Sequence, residues 1–238
     1  MDIGATVLAL SQAQDTASLD AIFKDALAAE GVDCYAYVRS FDPTQPDMRE
    51  GDLRLGNFPD AWAYRYLTQG YDATDPVRLF AFRTAQPFTW SEAHTRIAAE
   101  RALPPILDEA ADMGLKTGGS ISIFGPSGRM YSLSFASATP GVESDWRLPI
   151  LGLLAHQVHL AYERLAAPAP PPPTPLTRRE QDVLHWCARG KSNGDISDIM
   201  GISANTVDYH MRRIYMKLGV NSRTPAALMG IMNGLIAP

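Results

Sequence analysis

The sequence has few of the residues on which disulfide frameworks and metal centres depend. Its 238 residues include two cysteines, Cys34 and Cys187, which stand far apart. Two isolated thiols predict neither a disulfide framework nor a cysteine metal site, and they fit a reducing compartment. His156 and His159 are three residues apart, but no third ligand accompanies them at a telling spacing, so we expect no metal site.

Long apolar runs and a basic leader are also missing. The N-terminus MDIGATVLAL has an acid where a signal peptide needs positive charge, and the stretch LPILGLLAHQVHLAY is short and contains two histidines. We therefore expect a soluble, cytoplasmic protein without a membrane partner. The glycine spacing of phosphate-binding and dinucleotide-binding loops is absent, and no nucleophile–base pair is evident. We expect no catalytic residues and no cofactor.

Proline, in contrast, is concentrated in one segment, PAPPPPTP. Proline has no N–H and fixes φ near −65°, so this run can neither continue a helix nor join a sheet. It is typical of a semi-rigid polyproline spacer. The sequence thus predicts an N-terminal domain over residues 1–167, a linker over 168–175 and a C-terminal domain over 176–238.

Charge is divided unevenly between these two domains. The whole chain carries a net charge of −5, whereas the segment from Leu176 onward has eight Lys and Arg against five Asp and Glu. A small basic domain attached to an acidic one suggests a polyanionic partner for the basic domain alone. A solvated surface with scattered charges is the alternative.

The C-terminal segment predicts four helices. Thr177 and Glu180 fit a capping box, Gly190 and Gly201 suit the ends of the first two helices, and Ser203 can cap the third. The third helix has an apolar face of Val207, Met211, Ile214 and Leu218. Its opposite side is polar and carries Asn205, Asp208, Tyr209, Arg212, Arg213 and Lys217. A short helix, a tight turn and a polar second helix are typical of a helix-turn-helix.

The fourth predicted helix starts at Thr224-Pro225, with proline at the first helical position. Its residues AALMGIMNGLI are apolar almost all round. Such a helix covers either its own domain or a second copy of the chain, and the sequence leaves both open.

The N-terminal domain is predicted to be an α/β/α sandwich, so the whole chain is of the α+β class. An amphipathic helix with Leu19, Phe23 and Leu27 on one face precedes the strand DCYAYVRSF. GGSISIF, the turn GPSG and MYSLSFAS predict a β-hairpin, and a helix over 145–165 closes the domain. These adjacent antiparallel strands argue against a receiver domain, which alternates strand and helix.

Residues 62 to 90 contain side chains that predict a small-molecule pocket. Trp62 and Tyr66 are four apart, hence on one helix face, and Asp75 precedes a proline. With Trp90 they offer an indole N–H, a phenol O–H and a carboxylate beside aromatic walls. The alternatives are a core aromatic pair and a turn-forming aspartate.

The C-terminal sequence resembles the DNA-binding domain of LuxR-type bacterial transcription factors over about sixty positions. Glu180, Leu184, Gly190, Thr206, Val207, His210 and Lys217 stand where that pattern has them. The resemblance implies double-stranded DNA as partner, with phosphate contacts from Lys191, Thr206 and Lys217. It also implies base contacts from the exposed face of the third helix: Asn205, Asp208, Tyr209 and Arg212, with Arg213 beside them. Before DNA binds, Asp208 is expected to pair with Arg212.

Trp-x3-Tyr-x8-Asp-Pro, followed by Trp90 and Gly118, resembles the autoinducer-binding domain of LuxR-type quorum-sensing receptors. The resemblance implies an N-acyl homoserine lactone ligand. A homodimer on a palindromic site would fit DNA recognition, because two-fold symmetric readers bind paired half-sites, and RNA polymerase is a further candidate partner. Trp62 would donate to the lactone carbonyl, Tyr66 and Ser134 to the acyl carbonyl, and Asp75 would accept from the amide N–H. Trp90 would pack on the lactone ring, and Gly118 would allow close backbone approach.

Two departures leave the acyl group open. Pro104-Pro105 interrupt the segment that would shape one side of the site, and Phe80, Phe82 and Phe88 make its surroundings unusually aromatic. Two rival functions also stay open: a ligand-independent regulator controlled by a partner protein, and an enzyme acting on lactones.

Overall fold

A computed structural model describes residues 2–42, 53–125, 128–166 and 175–237. The chain forms two compact units, one built from the elements up to residue 166 and the other from those after residue 175. The predicted linker, residues 168–175, lies outside the described residues except for Pro175.

The N-terminal unit is built on an antiparallel sheet of five strands. They are β1 (Cys34–Phe41), β2 (Leu53–Gly56), β3 (Phe88–Thr89), β4 (Thr117–Phe124) and β5 (Met130–Ser137), and their order across the sheet is β2-β1-β5-β4-β3. β4 and β5 form the predicted hairpin, with Phe124 opposite Met130. The predicted turn, residues 125–128, lies partly outside the described residues.

Helices cover both faces of this sheet, which confirms the expected sandwich. The described helices of the unit are α1 (Ile3–Gln12), α2 (Thr16–Ala28), α3 (Asp60–Thr68), α4 (Pro76–Ala81), α5 (Trp90–Ala98), α6 (Ile106–Asp112) and α7 (Leu148–Leu165). α1, α2 and α7 share one apolar core with one sheet face, and α3 to α6 share a second core with the other. Among the described residues, no helix is long and apolar enough to cross a membrane.

The sequence did not predict α1, because its alanines and glycine give no clear apolar stripe. Of the residues in α1, Leu10 alone is fully buried. The helix begins where the Asp2 carboxylate accepts a hydrogen bond from the Ala5 N–H at 3.1 Å. It packs against α7, so tertiary contact rather than periodicity stabilises it.

The C-terminal unit has the four predicted helices: α8 (Arg178–Ala188), α9 (Asn193–Met200), α10 (Ala204–Leu218) and α11 (Arg223–Met232). Thr177 and Glu180 form the predicted capping box, and the Ser203 hydroxyl caps α10. Gly190 and Gly201 end α8 and α9 with φ of 77° and 63°, the left-handed conformation that glycine adopts without strain. The apolar face of α10 is buried as its spacing predicted.

The predicted start of the fourth helix was wrong. α11 begins at Arg223 after Ser222, so Pro225 is its third residue rather than its first. Proline is tolerated there because the first four N–H groups of a helix have no intrahelical partner. One side of α11 packs on α8, where a Cβ added to Gly230 would lie 2.6 Å from Leu184 Cδ2. Leu228 stays exposed, so contact with a second copy remains a prediction.

Candidate functional site

A cavity of about 380 Å³ lies on the sheet face that α3 to α6 cover. Its floor is formed by alternate residues of the strands, and its walls by helix side chains. The polar and aromatic side chains that line it include Ser40, Trp62, Tyr66, Asp75, Arg78, Trp90, Ser120, Ser132 and Ser134. A mostly apolar cavity of this size with a few convergent polar groups is typical of a small-molecule site.

Helix α3 places Trp62 and Tyr66 side by side, as their spacing predicted. Their ring centroids are 5.9 Å apart in an edge-on arrangement, and both rings contact Tyr71. Trp62 is 7% exposed and lines the cavity. Within the described part of the chain, no group accepts a hydrogen bond from its indole N–H. The indole is therefore a donor with capacity for a ligand.

Asp75 has two roles, one for each carboxylate oxygen. Oδ1 accepts a hydrogen bond from the Val77 N–H at 2.8 Å and so caps α4, while Pro76 occupies the first helical position. Oδ2 accepts from the Tyr66 hydroxyl at 2.8 Å. Asp75 can therefore both form the turn before α4 and face a ligand, because the cap made by Oδ1 fixes the direction of Oδ2.

Burial sets the protonation behaviour of this pair. It raises the pKa of Asp75, although hydrogen bonds from Tyr66 and Val77 and the positive charge of Arg78 oppose the rise. Burial also raises the pKa of Tyr66 well above its ordinary value, and the neighbouring Asp75 charge adds to this. Tyr66 therefore stays protonated at neutral pH and remains a hydrogen-bond donor.

A line of three groups connects Trp90 to the cavity floor. Trp90 Nε1 donates to Ser120 Oγ at 3.1 Å, and Ser120 Oγ lies 2.8 Å from Ser134 Oγ. The indole N–H can only donate, so Ser120 accepts it and can give its own hydrogen to Ser134. The Ser134 hydrogen is then available to the cavity.

The sequence interpretation did not include Ser120. Ser120 and Ser134 are directly paired across β4 and β5. The predicted hairpin left Arg129 unassigned between the turn and the second strand, so it did not fix the register. A slip of one residue would place a different side chain opposite Ser134.

Gly118 does not line the cavity. A Cβ added there would lie 2.3 Å from Trp90 Cδ2, so the glycine lets the indole ring lie directly against β4. The sequence predicted a close approach at this backbone position. In the protein, the approaching group is the Trp90 side chain.

On α10 the predicted polar face is present. Asn205, Tyr209, Arg212 and Arg213 are exposed, whereas Thr206 and Asp208 are half-buried. Arg212 Nη2 pairs with Asp208 Oδ2 at 2.8 Å, which confirms the expected i, i+4 pair. Arg213 Nη1 donates to the Tyr209 hydroxyl at 3.0 Å. These side chains form the polar, largely exposed face of α10.

The three residues expected at phosphates differ in accessibility. The Lys191 side chain is exposed two residues before α9, and Thr206 Oγ1 lies 2.9 Å from Ser203 Oγ. Lys217 is turned toward its own domain, where Nζ donates to Glu180 Oε2 at 2.7 Å and to the Pro175 carbonyl at 3.1 Å. Its side chain is only 13% exposed.

The two histidines of α7 have partners within the fold. His159 Nδ1 lies 2.7 Å from the Tyr37 hydroxyl, and His156 Nδ1 lies 2.9 Å from the Gly152 carbonyl. Across the described ranges, no three His, Cys, Asp or Glu side chains are grouped so that they could hold a metal ion.

Comparison with known proteins gives the same two-part division. Residues 15–162 match the autoinducer binding domain family, and residues 174–230 match the luxR family of bacterial regulatory proteins. The regulator RhlR of Pseudomonas aeruginosa, named as an HTH-type quorum-sensing regulator, is 32% identical over 227 residues, which are 93% of this chain and 91% of RhlR. A Sinorhizobium fredii relative, y4qH, is 36% identical over 181 residues, but the match spans 76% of this chain and only 56% of y4qH.

The fold is also found in a solved structure. The crystal structure of Escherichia coli SdiA superposes with a TM-score of 0.68 at 21% identity, covering 99% of this chain and 98% of SdiA. The matched families are those of transcriptional regulators rather than enzymes. From the two family matches and the likeness to RhlR, the chain belongs to the LuxR family of DNA-binding transcriptional regulators that carry an autoinducer-binding domain.

Proposed function

We propose that this protein is a quorum-sensing transcription factor that binds an N-acyl homoserine lactone and, as a homodimer, regulates transcription from a palindromic DNA site. The observation that carries the proposal is the set of polar groups in the cavity. One buried acceptor, Asp75, lies among groups that can donate: Trp62, Tyr66 and Ser134.

These groups match the polar atoms of an acyl homoserine lactone. Its amide N–H would donate to Asp75, and its lactone carbonyl would accept from Trp62. Its acyl carbonyl would accept from Ser134 and from Tyr66, whose single hydroxyl hydrogen would turn from Asp75 to the ligand as the amide N–H takes its place. Each buried amide group left without a partner would cost about 1–3 kcal/mol of binding free energy, so the match matters. The Trp90 ring provides an apolar surface for the lactone.

The DNA part of the proposal rests on α10. Its exposed face would read base edges, with Arg212 able to fork onto a guanine and Asp208 able to accept from a cytosine amino group. Lys191 and Thr206 would contact phosphates. Two copies of such a reader bind paired half-sites, which makes a palindromic operator the expected target, with RNA polymerase as a further partner.

Asp75→Asn tests the ligand part. Wild-type protein is titrated with straight, branched and aryl homoserine lactones while its thermal unfolding is followed. A ligand that binds only the folded state stabilises it by about 2.7 kcal/mol at a hundredfold excess over its Kd, so we expect one class to raise the Tm. In Asp75→Asn this rise should disappear, because the amide N–H loses its charged acceptor.

Asp112→Asn is the matched control, because Asp112 is exposed at the end of α6 and does not line the cavity. It should respond to lactone like the wild type. A flat response of folded wild-type protein to the whole panel would contradict the proposal and favour a regulator controlled by a partner protein.

A further inference from the structure

Arg78 also lines the cavity, and its guanidinium is not among the polar groups assigned to the lactone amide. Arg78 stands three residues after Asp75, on α4. Its guanidinium donates through Nη1 to the Asp72 carbonyl at 2.7 Å and through Nη2 to the Ser40 carbonyl at 2.9 Å. Its Nε is buried without a hydrogen-bond partner, and no described carboxylate lies within ion-pair distance.

Two hydroxyls beside Arg78 also have a hydrogen to spare. Ser40 Oγ lies 2.6 Å from Ser132 Oγ, and these side chains are 2% and 7% exposed. One hydrogen bond joins the two hydroxyls and uses one of their two hydrogens. No other described group accepts from either hydroxyl, so the second hydrogen has no acceptor.

Among the described residues, this part of the cavity therefore has more hydrogen-bond donors than acceptors. A guanidinium has five N–H donors and no acceptor. The Asp72 and Ser40 carbonyls accept from only two of the N–H groups of Arg78. A shielded donor without a partner destabilises the free protein. A ligand atom that accepts hydrogen bonds would remove this imbalance, whereas a purely hydrocarbon chain would leave it.

The strand geometry places the Ser40–Ser132 pair away from Ser134, which lies at the proposed amide end of the site. Ser132 and Ser134 are two residues apart on β5 and both line the cavity. Two residues of an antiparallel strand span about 7 Å. For an acyl chain that runs along β5 from Ser134 towards Ser132, the serine pair would thus lie farther out than an oxygen on the third carbon would reach from the amide carbonyl.

The charge balance favours an uncharged acceptor. The positive charge of Arg78 acts on the Asp75 carboxylate, so the cavity already holds one charge of each sign. A carboxylate on the ligand would add an uncompensated negative charge to a largely apolar cavity. A hydroxyl or phenol oxygen would accept the hydrogen bonds without it.

We infer that the acyl group of the ligand carries an uncharged oxygen near its far end, bound by Arg78 and the Ser40–Ser132 pair. This inference rests on the proposed function, since it takes the lactone amide to lie at Asp75 and Ser134. It assigns Arg78 a part in choosing between ligands of equal length.

Two matched lactones test the inference on the full-length protein by titration calorimetry. They are hexanoyl and 6-hydroxyhexanoyl homoserine lactone, which differ by one oxygen. Wild-type protein should bind the hydroxylated compound about tenfold more tightly, the size expected for a hydrogen bond to a charged donor. In Arg78→Met the ratio of the two affinities should fall to about one.

Arg83→Met is the matched control, because Arg83 is exposed, pairs with Glu100 and does not line the cavity. It should keep the wild-type ratio. A merely structural role of Arg78 would lower both affinities and leave their ratio unchanged. Should Arg78→Met fail to fold, Ser132→Ala must reduce the ratio in its place.

Equal binding of the two compounds by wild-type protein would overturn the inference and leave the proposed function standing. Tighter binding of 3-oxohexanoyl homoserine lactone than of the 6-hydroxy compound would overturn the placement of the oxygen. If no lactone of the panel binds at all, the proposed function fails and the inference fails with it.

Discussion

Glu180 is a capping residue that is also the centre of a buried ion-pair cluster. It is 1% exposed. Its carboxylate accepts from the Thr177 N–H at 2.7 Å, pairs with Lys217 Nζ at 2.7 Å and lies 3.3 Å from Arg213 Nε. The sequence predicted the cap but not the cations, because both come from α10, more than thirty residues later.

The pKa of Glu180 reflects this environment. Burial alone would raise it, but the hydrogen bonds from Lys217 and Thr177 together outweigh burial and lower it below its ordinary value of 4.5. A carboxyl group whose pKa is lower in the folded state stabilises the fold above its unfolded pKa. That contribution is lost as the pH falls through the folded value.

Glu180→Gln should therefore destabilise the C-terminal unit by about 3 kcal/mol at neutral pH, because the amide can still accept from the Thr177 N–H but leaves Lys217 without its anion. Native-state hydrogen exchange of the amides of α8 to α11 would measure the loss in this unit alone. The variant should also lose less stability than the wild type below pH 4.5, since its amide does not titrate.

Asp198→Asn is the control, because Asp198 is exposed on α9. It should unfold within about 0.5 kcal/mol of the wild type, as surface substitutions usually do. Equal free energies of unfolding for Glu180→Gln and the wild type would show that the negative charge of Glu180 contributes no net stability.

At the scale of elements, α10 combines two different sets of side chains. Its buried face follows the apolar period of the sequence, and its outer face presents polar side chains to solvent. Lys217 is polar but belongs to neither set, since it lies against Glu180. Helical periodicity shows which face a residue occupies, but not whether a neighbouring helix offers a charged partner.

This distinction predicts opposite effects for two lysines. Lys191→Ala should weaken DNA binding at every sequence and reduce the slope of log K against log salt by about one, because it removes the phosphate contact that we propose for this exposed lysine. Lys217→Ala should instead lower the free energy of unfolding, because Glu180 then keeps a buried charge without its closest cation.

Anisotropy titrations of labelled operator DNA at several salt concentrations, together with urea unfolding, separate the two effects. The two substitutions serve as controls for each other. A salt slope reduced as much by Lys217→Ala as by Lys191→Ala, in equally stable proteins, would show that Lys217 leaves Glu180 when DNA binds.

At the scale of the whole molecule, the two units are joined by the proline-rich segment over residues 168–175. Polyproline is stiffer than a Gly/Ser chain of equal length, so it restricts the positions open to a tethered domain. When one DNA-binding unit of a dimer is bound, these positions set the effective concentration of the second unit at the other half-site. Simultaneous binding of two half-sites depends on that concentration.

Replacing residues 168–175 by a Gly/Ser segment of equal length should therefore lower the affinity for a palindromic site. Affinity for a single half-site should not change, because it needs no coordination between copies. Binding titrations on both DNAs measure the difference. Unchanged affinity for the palindrome would show that the stiffness of the segment is irrelevant.

Local chemistry determined much of this protein. The caps at Thr177 and Ser203, the helix ends at Gly190 and Gly201 and the apolar face of α10 depend on residues within a few positions of each other. The pairs Trp62–Tyr66 and Asp208–Arg212 form for the same reason. Such features follow from backbone geometry that every helix shares.

The tertiary structure decided what the cavity contains. Ser120 meets Ser134, and Ser40 meets Ser132, because of strand register. Arg78 reaches the cavity because α4 covers that sheet face. These contacts join residues from 14 to 92 positions apart. A sequence pattern gives the face of an element, whereas the atom that it meets depends on how distant elements align and pack.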